Sequence, residues 1–137
     1  MWIHPDGRVV ASMFLSFQGD SMRAEAPLQV LNSSSKFLVV EREEPNETRF
    51  YNKASIVRVE YMDEDDLPED GVKPLDCVTH MMDGALIKGK IERFLPPDNS
   101  RLYDYLNIDD EHFVKLKLED GMTCLINKSY IVRVSPK

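Results

Sequence analysis

Cysteine is scarce in this chain, and long apolar runs are missing from it. The two cysteines, Cys77 and Cys124, are too few for a disulfide framework of the kind that small secreted domains use. No run approaches the ~18 consecutive apolar residues of a membrane helix. The first residues, MWIHPDGRVV, lack the basic-then-apolar pattern of a secretory signal. We therefore expect no membrane insertion and a cytoplasmic location.

Catalytic and cofactor motifs are missing as well. No glycine-rich phosphate loop occurs. Cys77 and His80 have the spacing of half a structural zinc site, but Cys124 and His112 do not form the second closely spaced pair that such a site requires. No residue is identifiable that would orient a Cys–His nucleophile pair. We therefore predict no enzyme activity, no metal and no cofactor.

The strongest pattern that is present is an internal repeat. The sequence NKASIVRV at 52–59 returns as NKSYIVRV at 127–134, and 127 − 52 gives an offset of 75 residues. The same offset, applied without a gap, aligns further pairs: Leu31-Asn32 with Leu106-Asn107, Val39 with Val114, and Thr48 with Thr123. This match indicates two copies of one unit. Because a solenoid requires about three repeats, each copy should instead have its own small core.

Charge separates the two copies. Residues 63–75 carry one Lys and six Asp or Glu, whereas 1–62 and 76–137 each sum to −1. Pro68, Gly71 and Pro74 punctuate the acidic stretch. We therefore predict repeat A over 1–62, a linker over 63–75 and repeat B over 76–137. The linker is interpreted as a solvated spacer, with an acidic docking strip for a basic partner as the alternative.

Each copy has the pattern of an all-β unit. About five short strands per copy, with turn signals every 8–12 residues, are typical of a small barrel or sandwich. Residues 112–118 alternate cleanly, with Val114 and Leu116 inside, while 101–107 fits either an extended piece or one helical turn. A glycine inside a strand usually marks a sharp bend or a close backbone approach, and we predict that both copies bend there, at Gly89 and at its proposed counterpart Gly19.

Repeat B resembles the two-part signature of Sm-like barrels. Its DGALIKGKIERF, followed by LN, places Gly84, Gly89 and Asn107 as in the first part, and Ile126 and Ile131 match the second. The chain departs from the family where Asn127-Lys128 replaces Arg-Gly, and in the longer loop before Asn107, which lacks Asp-x-x-Met-Asn. The stretch RLYDYLN also resembles an uncharacterised bacterial family with Arg-Leu-x-Asp-x-Leu-Asn. The resemblance implies two tandem five-stranded Sm-like or SH3-like barrels.

In RNA-binding members of the Sm-like family, a loop Asn, an aromatic residue and a basic residue line a base pocket. The resemblance carries these roles to the candidate binding residues Asn107, Tyr105 and Lys128, with Asn32 and Lys53 in repeat A; Arg101 of RLYDYLN is a further candidate. The alternative is that Asn107 and Asn127 cap turns through their side chains. Neither copy is basic, as an RNA-binding surface should be, so we favour the capping interpretation.

One strand predicts an interface. The gap-free offset aligns Leu38 with Phe113 and Val40 with Lys115, which would turn Leu38 and Val40 outward. Exposed apolar patches usually mark contacts, so we predict that Leu38, Val40 and Phe113 lie between the barrels or between two subunits. The alternative is a one-residue shift that turns Leu38 and Val40 inward.

Together these points favour a non-enzymatic interaction module of bacterial type, with an unidentified protein partner and with a homo-oligomer as one permitted arrangement. An RNA- or nucleotide-binding protein is the alternative, and a small enzyme is the third choice. The sequence names no partner.

We predict no useful affinity for single-stranded RNA at physiological salt, because counterion release requires clustered Lys and Arg that neither copy has. A filter-binding assay over a salt series tests this. Tight, salt-sensitive binding would contradict the prediction and favour the RNA-binding alternative.

Overall fold

The computed structural model describes residues 1–13, 17–18, 23–24, 26–43, 46–63, 72–92 and 101–136. The fold is predominantly β, as predicted, with two short helices; the described strands form no closed barrel, so the two tandem barrels remain a prediction. Contacts divide the chain into two compact units, unit 1 (Met1–Val59) and unit 2 (Glu60–Lys137). Because residues 64–71 lie outside the described ranges, the linker and the domain bounds remain predictions. Across the described ranges, no helix has the length and apolar character that a bilayer crossing requires.

Unit 1 consists of short antiparallel strands and one short helix. Its elements are β1 (Trp2–Ile3), β2 (Gly7–Arg8), β3 (Ser12–Met13), β4 (Phe17–Gln18), β5 (Arg23–Ala24), α1 (Pro27–Asn32), β6 (Phe37–Arg42), β7 (Glu47–Asn52), a 3₁₀ turn (Lys53–Ser55) and β8 (Ile56–Tyr61). Strand β1 pairs with β2 and β8, β6 pairs with β3 and β7, and β4 pairs with β5.

Unit 2 forms a continuous antiparallel sheet. Its elements are β9 (Leu75–Met81), β10 (Leu86–Ile91), α2 (Leu102–Leu106), β11 (Phe113–Leu118), β12 (Thr123–Asn127), a 3₁₀ turn (Lys128–Tyr130) and β13 (Ile131–Pro136). The strands lie in the order β13-β9-β10-β11-β12. The last strand of the unit therefore lies beside its first.

Two short helices occupy equivalent places in the repeat. Helix α1 forms where the sequence suggested only a short apolar piece, and Pro27 begins it, a position at which the missing N–H costs nothing. Helix α2 is the one-turn alternative for residues 101–107. Each helix is anchored by one fully buried side chain, Leu31 in α1 and Tyr105 in α2.

Gly89 lies where two backbones approach closely, and the bend expected at this position remains a prediction. It pairs with Cys77 on β9 and Leu118 on β11. A Cβ at this position would lie 3.0 Å from the carbonyl oxygen of Lys117, so a larger residue would push β10 and β11 apart. The proposed counterpart Gly19 lies outside the described residues.

The two units share one element order from each helix onward, but the alignment between them is not free of gaps. Both units run from a helix through two paired strands and a 3₁₀ turn to a final strand. Phe37 lies opposite Asn52, and Phe113 lies opposite Asn127. Since 113 − 37 is 76, unit 2 has one more residue before this strand, and one fewer in the following hairpin restores the offset of 75. The gap-free alignment is therefore wrong by one residue in β6.

This shift changes the faces of β6. Leu38 and Val40 are 1% and 0% exposed, whereas Phe37 is 54% exposed, as the one-residue alternative expected. The counterpart of Leu38 is Val114, not Phe113, and both of those residues are buried. A buried side chain lies either in the core of its unit or in a contact, so the interface role of Leu38, Val40 and Phe113 remains a prediction.

Replacing Val40 with Lys separates these roles. Val40 pairs with Met13 and Arg49 in the middle strand of three, so we expect Val40→Lys to unfold unit 1. Lost apolar burial costs ~1.5–3 kcal/mol and a buried unpaired charge adds to it. Val39→Lys is the control, because Val39 is half-buried and its side chain lies on the opposite face of β6 from Val40. The only tryptophan, Trp2, lies in unit 1, so its fluorescence during urea unfolding reports on that unit. A folded Val40→Lys protein that loses an assembly contact would instead support the interface.

Candidate functional site

The candidate binding residues surround the connection between each helix and the 3₁₀ turn that precedes the last strand. In unit 2, the Asn127 Oδ1 accepts the Ser129 N–H at 3.0 Å, and the Lys128 N–H donates to the His112 carbonyl at 2.9 Å. In unit 1, the Asn52 Oδ1 accepts the Ala54 N–H at 3.0 Å. The capping alternative predicted for Asn127 is therefore correct, and it holds in both units.

Lys53 is a structural cation. Its side chain is buried, with 7% exposure. The Nζ donates to the Val30 carbonyl at 2.5 Å, to the Ser33 Oγ at 2.9 Å and to the Ser35 Oγ at 3.0 Å. An ammonium group has three N–H donors, and Val30 lies in the last turn of α1, where a cation is favoured. These contacts hold α1 against the 3₁₀ turn and occupy the ammonium group that a phosphate would need.

Lys128 makes the corresponding contact with less burial. Its Nζ donates to the Ile108 carbonyl at 2.9 Å, just after α2, and its side chain is half-buried. The repeated Asn-Lys sequence therefore has one structural explanation in both units. Asn caps the 3₁₀ turn, and Lys ties that turn to the end of the helix.

The remaining candidates separate into buried and exposed residues. Tyr105 is 2% exposed, and its Oη accepts the Lys115 N–H at 3.2 Å, so its ring is not placed to stack on a base. Asn32 ends α1 and is half-buried. Arg101 is exposed and bonds Asp104 at 3.1 Å, a hydrogen bond that raises its pKa.

Asn107 and Lys128 do come together, in a shallow cleft of about 190 Å³ that is also lined by Asp109, Glu111 and His112. The Asn107 Nδ2 donates to the Tyr103 carbonyl at 2.7 Å, and so caps α2. Two carboxylates beside one ammonium group make the cleft unfavourable for a phosphate. Its lining therefore does not reproduce the positive base pocket that the Sm-like resemblance implies.

Tyr103 is an exposed aromatic residue that the sequence interpretation missed. It is 70% exposed, whereas the chosen Tyr105 is buried. Placing 101–107 on a helix would have given the signal, because residues 103 and 105 then point in different directions.

The repeated arginine of IVRV also contacts a ring in each unit. The Arg58 Cζ lies 4.0 Å from the centre of the Trp2 ring, a cation–π distance. In unit 2 the Arg133 Nη2 lies 3.3 Å from the His80 Nδ1. Both pairs face each other across neighbouring strands. The repeated Arg was a signal for these contacts in the sequence. Its partners, Trp2 and His80, are unlike residues, so the repeat alignment could not identify them.

The sequence analysis considered Cys77, His80, His112 and Cys124 as zinc ligands and did not favour them. Cys77 and Cys124 are both 0% exposed, and His112 is exposed at the polar cleft. Within the described ranges, no group of three or more His, Cys, Asp or Glu side chains is arranged to hold a metal ion. Burial raises the pKa of the Cys77 thiol, partly opposed by a hydrogen bond with Thr79. A raised pKa disfavours the thiolate that a nucleophile requires.

An exposed apolar face on the β6–β7 hairpin is the other feature that could bind a partner. Phe37 and Phe50 are 54% and 68% exposed. Val39 lies between them, because it follows Phe37 by two residues on β6 and lies opposite Phe50 on β7. Side chains two apart on a strand share a face, as do directly opposed residues. We call Phe37, Val39 and Phe50 the aromatic face.

The aromatic face has a buried counterpart in unit 2. By the register of the two hairpins, Phe113 stands where Phe37 stands, and Leu125 stands where Phe50 stands. Phe113 and Leu125 are 2% and 0% exposed. The positions of Phe37 and Phe50 are therefore exposed in one copy of the repeat and buried in the other, while Val39 corresponds to the half-buried Lys115.

We expect Lys53→Met to lower the free energy of unfolding by ~1–3 kcal/mol, because it removes the hydrogen bonds that the buried ammonium group donates to the Val30 carbonyl and to the Ser33 and Ser35 hydroxyls. The matched change Lys128→Met should cost less, since Lys128 is half-buried and donates to the Ile108 carbonyl. Urea unfolding followed by circular dichroism measures both. Equal effects would contradict the larger contribution expected from the more buried Lys53.

Comparison with known proteins adds no further constraint. No protein-family model, no curated protein and no solved structure matches this chain. The resemblance to Sm-like and SH3-like barrels therefore rests on the residues quoted for it, and it remains a proposal.

Proposed function

We propose that this chain is a non-enzymatic protein-interaction module made of two tandem Sm-like or SH3-like barrels. The predominance of β-structure and the shared element order of the two units support the architecture. In unit 2, β13 returns beside β9, which gives the strand order that a five-stranded barrel would use, and the described strands of this unit pair as an open sheet.

The observation that carries the binding role is the exposed aromatic face. Phe37 and Phe50 belong to a well-paired hairpin whose other side is backed by the buried Leu38 and Val40. A rigid strand pair that presents aromatic rings suits protein recognition, because aromatic side chains bury a large apolar area at low entropic cost. The residues at the equivalent positions of unit 2, Phe113 and Leu125, are buried, and this supports the same conclusion.

RNA or nucleotide binding is the second candidate, and the cleft that joins Asn107 with Lys128 is its support. Three observations favour the protein-binding role over it. Tyr105 is buried, the Lys53 ammonium group is engaged by α1, and the carboxylates of Asp109 and Glu111 line the cleft. Each of these opposes stacking or phosphate contact.

A comparison of captured proteins tests the proposed function. The wild-type chain and the variant Phe37→Ser/Phe50→Ser are immobilised and exposed to lysate of the source cells, with and without nuclease. We expect the wild type to retain at least one protein that the variant loses by tenfold or more, because the aromatic contacts are gone. Nuclease should not change this difference.

The control variant is Tyr103→Ser/Met82→Ser, which removes two exposed apolar side chains of unit 2. It should retain the partner. Identical protein sets for wild type and Phe37→Ser/Phe50→Ser, or a partner that disappears with nuclease, would overturn the proposal.

A further inference from the structure

The charges beside the aromatic face indicate the chemistry of its partner. Glu41 follows Val39 by two residues on β6 and therefore lies on the same face; its side chain is exposed. Glu43 is exposed in the adjoining turn. The hairpin 41–47, EREEPNE, sums to −3. An apolar centre thus ends in an acidic rim.

One of the two charges of the acidic rim is particular to unit 1. Glu41 lies opposite Thr48, and its counterpart in unit 2 by register is Lys117, opposite Thr123. The sign of the charge is therefore reversed at this position, whereas Glu43 corresponds to Glu119, which is acidic as well. Glu47 also belongs to the hairpin, but it is paired with Arg49 at 3.1 Å, so Glu41 and Glu43 are the main acidic groups of the rim among the residues that the structure describes.

We propose that the aromatic face binds an extended segment of a partner protein that carries apolar side chains followed by Lys or Arg. This inference rests on the proposed protein-binding function and names its partner class. The apolar side chains cover Phe37 and Phe50, and the basic residues lie over Glu41 and Glu43. Lys36, which is exposed at the opposite end of β6, sets the direction of the segment by repelling its basic end.

The size of the face argues for a segment and against a second copy of the chain. Phe37, Phe50 and Val39 together expose roughly 200–300 Å² of apolar surface. A stable protein–protein interface buries ~800 Å² on each partner. Two acidic rims and a net charge of −7 per chain would add repulsion between copies.

A random 12-residue peptide library displayed on phage is the probe. Peptides are selected on the whole wild-type chain and counter-selected against Phe37→Ser/Phe50→Ser. We expect the surviving peptides to combine aromatic or aliphatic residues with an excess of Lys and Arg. One survivor, labelled for fluorescence anisotropy, should bind at least tenfold more weakly to Glu41→Lys/Glu43→Lys, and its binding should weaken as salt is raised.

The matched control is Asp110→Lys/Glu119→Lys, which makes the same change in net charge on exposed positions of unit 2 and should bind within twofold of the wild type. Circular dichroism and Trp2 fluorescence confirm that every variant is folded.

Selected peptides that are neutral or acidic, or binding that is unchanged in Glu41→Lys/Glu43→Lys, would contradict the proposed basic partner while leaving the proposed function intact. A concentration-dependent dimer that disappears in Phe37→Ser/Phe50→Ser, seen by analytical ultracentrifugation, would identify a second copy as the occupant and overturn the inference. The captured-protein comparison tests the proposed function separately.

Discussion

The contact between the Asn-Lys pair and the end of the short helix is the constraint on which each unit depends. Both helices have only five or six residues, too few to be stable in isolation. Lys53 and Lys128 fix these helices to the 3₁₀ turn by donating to carbonyls at or just after the helix end. Because the turn leads directly into the last strand, the same contact also sets where that strand begins. The repeated Asn-Lys therefore has a folding role in both units.

The two copies share this framework and differ in what they present outside it. The hairpin after the helix has the same register in both, yet Phe37 and Phe50 on its outer face are exposed in unit 1, whereas their counterparts Phe113 and Leu125 are buried in unit 2. Lys117 is replaced by Glu41 at the same position of the register. A duplicated unit can diverge in this way because surface residues on a paired strand change at little cost to the fold, whereas buried Leu38 and Val40 cannot.

The Arg–ring pairs show how one repeated residue serves unlike partners. Arg58 lies over an indole and Arg133 beside an imidazole. A guanidinium group is suited to both, because it stacks on aromatic rings and also donates in its plane. The arginine is thus fixed by the cross-strand position that it occupies, and the residue opposite was free to change. Neither partner could be inferred from the repeat alone.

The sequence by itself determined the β class, most strand positions and the part of the repeat that follows each helix, because alternation and turn residues act over short distances. It also contained the capping role of Asn127, which depends on the next two residues. Only the tertiary structure decided the register of β6. Unit 2 has a single extra residue before β11, and this residue reverses the inward and outward faces that the gap-free alignment assigned to β6. It also decided that Lys53 and Tyr105 are buried while Phe37 and Phe50 are exposed. Burial depends on which distant elements cover a side chain, and no local pattern records that.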